Sequence, residues 1–232
     1  MDNQKLSEVI NQSGFPLQIG VEHHVRETSS IHGWKVLHTE HSWRNSTTET
    51  SGFIDLVLED SHRTSLMLVE CKRVLESPWI FLNPNKTVNN RRHAKSWVTC
   101  YISGCTGCYG WMDLTLEPSC PESQYCVVFG QDAKSKPMLE RVAADLVSAT
   151  EGLAQEENPH HEHHRDALRM YFSVIVTTAK LKLCSIDSSE ISLTDGKVAN
   201  SSFQDVPYVR FRKQLTTQLP KPNFSDGLSR LA

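Results

Sequence analysis

Apolar residues in this chain fall into short runs separated by polar punctuation, and two consecutive runs stand out. Gly52 to Leu58 and Ser65 to Val69 both read as buried strands. Between them lies the polar segment Glu59-Asp60-Ser61-His62-Arg63-Thr64, short enough for a hairpin loop. Upstream, Leu17, Val21 and Val25 recur at helical spacing, with Pro16 placed for a first turn, so Phe15 to Val25 is an expected amphipathic helix. Gly33 to Glu40 then reads as a strand. Downstream come an apolar stub at Pro78 to Phe81, a helix-like stretch from Asn90 to Ile102, a Cys- and Gly-rich loop, and a strand at Gln124 to Phe129. Lys136 to Leu153 is an amphipathic helix whose stripe is Met138, Val142, Leu146 and Ala149, with Leu139, Ala143 and Val147 beside it. Asn158-Pro159 is expected to break that helix. The remainder is β-rich. Tyr171 to Ala179 has the look of a central strand, Leu181 to Ile186 continues or pairs with it, Asp195-Gly196 turns, and Val206 to Phe211 is a last strand.

This alternation implies an α/β fold with a mixed sheet flanked by helices. A length of 232 residues permits one large domain. Its core is expected over about 14–155, with a β extension of the same sheet over about 165–215. Hydrophobic residues make up 38% of the chain, enough for a sizeable core, and no apolar run approaches a membrane span. Met1 to Lys5 lacks a signal-peptide layout, and no tag or low-complexity tract is visible, which points to a complete small cytoplasmic protein. Seven Cys residues without a dense framework agree with reduced thiols.

Candidate chemistry sits at the ends of the paired runs. Asp55 lies within the first, and Glu70-Cys71-Lys72 closes the second. Side chains alternate along a strand, so Glu70 and Lys72 share a face, and strand pairing would bring Asp55 to it. Two carboxylates suit Mg²⁺, with Mn²⁺ as a substitute, and the neighbouring Lys can orient a water or neutralise a phosphate. The plain alternative is an ion pair on neighbouring strands.

Asp55 and Glu70-Cys71-Lys72, on consecutive strands after a helix and a first strand, resemble the PD-(D/E)XK nuclease superfamily, the restriction-endonuclease-like fold. Ile54 stands where that pattern has Pro. The resemblance covers about the first 130 residues. It implies a metal-dependent phosphodiester hydrolase, with DNA as the favoured substrate, leaving a 5′-phosphate and a 3′-hydroxyl. Metal ligands would be Asp55, Glu70 and the backbone carbonyl of Cys71. Lys72 would act on the water or the transition state, and the helix before the first strand would add an acid. That acid is Glu22, with Glu8 as a lesser choice and Gln18 in the turn where related sequences often carry Glu. A homodimer, or an effector subunit of a bacterial restriction or anti-phage system, also follows from the resemblance.

Net charge of −3 argues mildly against broad nucleic-acid binding, so local basic clusters matter more. Arg73 follows the motif, Lys86, Arg91, Arg92 and Lys95 form one cluster, and Arg210, Arg212 and Lys213 another. Each is a candidate phosphate grip or a solvated charged face. Cys100, Cys105 and Cys108, with His93 or Cys120, are either a fragment of a zinc site or, as the spacing favours, core thiols by a Gly-rich turn. His160, His161, His163 and His164 read as a polar loop rather than a transition-metal site. No Gly-x-Ser-x-Gly and no phosphate-loop motif is present. The alternatives to a DNA nuclease are an RNA-cleaving effector gated by a partner, and a non-catalytic nucleic-acid-binding or assembly subunit of the same fold.

Overall fold

The structure, a computed structural model, describes residues 2–84, 90–102, 105–130, 137–161 and 167–212. Helices α1 (Asn3–Gln12) and α2 (Phe15–His32) open the chain. Strands β1 (Trp34–Asn45), β2 (Thr50–Asp60) and β3 (Ser65–Lys72) follow as an antiparallel meander. Next come β4 (Trp79–Asn83), β5 (Asn90–Ile102), β6 (Cys105–Ser123) and β7 (Cys126–Val128). Helix α3 (Met138–His161) then leads to β8 (Ala167–Thr177), β9 (Leu181–Ile186), β10 (Ser201–Asp205) and β11 (Arg210–Phe211).

Two sheets result. One has seven strands in the order β1-β2-β3-β8-β5-β6-β11, with β3 and β8 parallel, so it is mixed. The other has four, β10-β9-β4-β7. The seven-stranded sheet is covered on both faces. Leu17, Val21 and Val25 of α2 pack on Leu56, Leu58, Val69 and Cys71. On the opposite face Val142, Leu146, Ala149 and Leu153 of α3 pack on Ile54, Val57, Leu66, Leu68, Trp97 and Tyr171. The first turn of α3 reaches the smaller sheet, where Leu139 meets Trp79, Phe81 and Leu183. Among the described residues no helix is long and apolar enough to cross a membrane.

The α/β class, the flanking helices and the β2–β3 hairpin match the sequence reading. Asp60 ties the hairpin turn, its carboxylate accepting the N–H groups of Thr64 at 2.7 Å and Ser65 at 2.9 Å. Several elements differ. Asn90–Ile102 is a strand, not a helix, because Ser96, Trp97, Val98 and Thr99 are buried in succession between β6 and β8. A strand covered on both faces loses its alternation, and its β-branched and aromatic residues are the better guide. The Cys- and Gly-rich stretch lies largely within the β5–β6 hairpin, with Cys100 opposite Cys108. Gln124 to Phe129 yields only the three-residue β7. Leu181–Ile186 neither continues nor pairs with β8; it joins β4 and β10 in the smaller sheet, so the C-terminal strands do not simply extend one sheet. β10 occupies Ser201–Asp205, and Val206 to Phe211 narrows to Arg210–Phe211, parallel to the end of β6. Helix α3 runs through Pro159 to His161, two residues before its end, where a missing N–H removes a single late rung. The side chains of His160 and His161, and residues His163 and His164, lie outside the described residues.

Candidate active site

The site forms where the β2–β3 ladder ends. Leu56 opposite Val69 is its last rung; beyond it the Asp55 Oδ2 accepts the Cys71 N–H at 2.6 Å, in place of a backbone carbonyl. A local irregularity frees Asp55 to do this. Ile54 packs toward α3 and Leu56 toward α2, so alternation slips at Asp55. In β1 the facing residue is Glu40, flanked by the pairs Thr39–Leu56 and His41–Ile54, and it holds a left-handed φ of 48°. Non-glycine residues adopt that conformation rarely and at a cost.

Along β3, Leu66 and Leu68 point under α3, and Glu70 and Lys72 continue the same face. Lys72 Nζ donates to Glu70 Oε1 at 2.5 Å, both side chains being partly buried. Burial pushes the carboxyl groups of Asp55 and Glu70 above their ordinary values. For Asp55 the Cys71 N–H and Lys72 pull the other way, while Glu40 adds to the rise. For Glu70 the Lys72 hydrogen bond opposes the rise, and Asp55 and Asp145 reinforce it. The Cys71 thiol, on the α2 face, is pushed up to about 12 by burial and then by the two acids, so it stays protonated.

The structure therefore brings Asp55, Glu70 and Lys72 together, with Cys71 between them. Glu22 is engaged elsewhere: its Oε1 accepts from Arg26 at 2.8 Å, and it is not among the charges acting on Asp55 or Glu70. The α2 residue that reaches the site is Gln18, one turn earlier. It is 8% exposed, and its Nε2 donates to Glu40 Oε1 at 2.7 Å and to the Asp55 carbonyl at 3.2 Å. Glu8 lies on α1, which buries no residue. Glu40 and Asp145 are acids of this neighbourhood that sequence reasoning passes over. Asp145 follows the α3 stripe and was legible as a residue bordering Leu146; a left-handed residue within a strand leaves no trace in the sequence.

Of the basic candidates, Arg73 directly follows the site on a half-buried position. Lys95 pairs with Asp113 at 3.2 Å on the β5–β6 hairpin. The backbone of Arg91 and Arg92 lies in β5, where Arg91 pairs with Cys120 of β6 and precedes the part of the strand that pairs with β8. Their side chains, Lys86 and Lys213 lie outside the described residues. Arg210 and Arg212 sit at the far edge, where Arg212 approaches Glu122 at 3.5 Å. For zinc, Cys100 and Cys120 form no disulfide among the described residues, and the side chains of His93, Cys105 and Cys108 are not described.

A cavity of about 320 Å³ opens beside Glu70, walled by Trp43, Phe53, Ile54 and Asp145. Among the described residues no three His, Cys, Asp or Glu side chains converge as a ready ligand set. The donors at hand are two half-buried carboxylates and a backbone carbonyl, all oxygen. That set fits Mg²⁺, which takes one or two carboxylates and keeps several waters, better than zinc. No protein-family model, curated protein or solved structure matches this chain.

Proposed function

We propose that the protein is a metal-dependent nuclease of the PD-(D/E)XK type, hydrolysing phosphodiester bonds, with DNA as the favoured substrate. The observation that carries this reading is the convergence of Asp55, Glu70 and Lys72 at one strand end, with both acids raised by burial and by neighbouring charge. Carboxylates so placed favour a cation, and a purely structural ion pair would need only one of them. The order of elements is compatible: a helix and three strands bearing the motif, then, after β4 to β7, a helix and a strand in a mixed sheet.

In this mechanism Asp55, Glu70 and the Cys71 carbonyl hold Mg²⁺, which supplies a polarised phosphate and a more acidic water when bound. Asp55 is fixed for that task by the Cys71 N–H, and Glu70 is steered by Lys72. The Lys72 ammonium, on the face shared with Glu70, orients the attacking water and offsets charge developing on the phosphate oxygens. Apolar packing from α2 and α3 below the site limits competing solvent.

Incubating plasmid DNA with the protein in Mg²⁺, Mn²⁺ or EDTA tests the reading. Cutting should require the metal and fall by about 10²-fold or more in Asp55→Ala and Lys72→Ala. Cutting that persists in both variants rejects the site. No cutting of DNA or RNA under any of these conditions rejects a self-sufficient nuclease.

A further inference from the structure

A second cavity, of about 390 Å³, lies on the Lys72 side and is lined by Lys72, Met138, Arg141, Val142, Ala144 and Asp145. Arg141 is exposed, and its guanidinium makes no hydrogen bond or ion pair among the described residues. Asp145 follows it by one turn and lines the same space, yet the two form no ion pair. The cavity thus presents an unpaired Arg141 and a Lys72 already paired with Glu70, against Asp145.

The place of Arg141 is unusual for a surface cation. It sits in the first turn of α3, where the helix dipole is positive and acids are favoured; Glu140 follows that rule and Arg141 breaks it. Arg141 is thus a cation left without a partner among the described residues, beside a Lys72 that is already held by Glu70. Local rules broken without a compensating contact mark functional positions. An anion with bidentate geometry satisfies all three features, and Arg is the side chain suited to it.

We propose that this cavity seats a backbone phosphate of the substrate next to the scissile one, with Arg141 as the residue that grips it. The inference rests on the nuclease reading and deepens it: Asp55, Glu70 and Lys72 address the reacting phosphate, while Arg141 fixes the register of the strand.

The test is binding of a fluorescein-labelled DNA duplex by anisotropy in EDTA, across about 50 to 200 mM salt. Arg141→Ala should weaken binding and lower the slope of log K against log salt by about 0.9, the loss of one phosphate contact. Arg141→Lys should restore much of the slope, because a phosphate reads charge. The melting temperature of Arg141→Ala should be unchanged or higher, since a cation has left a helix N-terminus. A wild-type slope in Arg141→Ala overturns the inference, even if affinity falls, and leaves the nuclease reading to metal-dependent cutting. Wild-type protein that neither binds nor cuts DNA overturns both.

Discussion

Asp55 and Glu70 are held where the fold would prefer them uncharged. A carboxyl group whose folded pKa is raised binds its proton more tightly in the native state than in the unfolded chain. Its charge therefore works against folding. The penalty is absent below the unfolded value of about 4, grows as pH rises above it, and is complete once pH exceeds the folded pKa. Burial is the first cause for both groups. Asp55→Asn keeps an oxygen to accept the Cys71 N–H and removes the charge. We expect it to raise the melting temperature at pH 7, to lose that advantage below about pH 4, and to abolish cutting. Thermal melts across pH check this, and a lower melting temperature at pH 7 would assign Asp55 a purely structural role. The cluster of Asp55, Glu70 and Lys72 was legible because these residues stand on two apolar runs whose pairing is local. Glu40 was not, since its approach depends on a left-handed residue; Gln18 was marked only as the turn where related sequences often carry Glu, and its reach to Asp55 depends on how α2 lies across the sheet.

At the scale of elements, α3 is the piece that must be placed accurately, because it carries Asp145 and Arg141. It approaches the sheet closely at Gly152, where an added Cβ would meet the Arg44 carbonyl oxygen at 3.0 Å and carbon at 3.1 Å. These are backbone atoms and cannot swing aside. Buried Asn45 locks the same contact, its Nδ2 donating to Glu151 at 2.9 Å and to the Ser148 carbonyl at 3.3 Å. Alanine would add about 1 kcal/mol of helix propensity, but overpacking costs about 1–3 kcal/mol. Gly152→Ala should therefore be destabilised overall in urea titrations, by up to about 2 kcal/mol, with cutting reduced through displacement of the helix. Helices α2 and α3, each with one covered face, show their periodicity, and β2 and β3, covered on both faces, were read from continuous apolar runs around a short polar turn. β5 was not, because buried polar Ser96 and Thr99 break up its apolar run, and β6 was hidden by Gly and Cys residues that mimic a loop. Membership of the second sheet was illegible for a different reason. β4 and β9 pair across a wide sequence gap, and no local signal specifies such a partner.

Across the whole molecule, the far end of the α3 interface is closed by a buried ionic cluster. Arg169, 8% exposed, donates to Glu59 at 2.8 Å, to Glu157 at 2.9 Å and to the Arg63 carbonyl at 2.7 Å. Tyr171 donates its hydroxyl to Glu157 at 2.6 Å, and burial with that acid pushes its pKa upward. The cluster ties β8, β2, the hairpin turn and α3 at one point. Arg169→Ala would strand Glu59 and Glu157, and we expect a loss of about 3–5 kcal/mol by chemical denaturation, against a cutting site left intact in the fraction still folded. Parallel pairing of β3 with β8 has a consequence of its own. Ser65 meets Met170, on the order of a hundred residues later, whereas β2 and β3 meet through a short turn. During synthesis the hairpin that brings Asp55 to Glu70 can therefore close early, but its inner edge stays bare until β8 emerges. Loop-closure entropy delays that partner further. The chain is thus exposed to edge-to-edge association from the completion of β3 until β8 has been made, and the finished cleft exists only once β8 has left the ribosome.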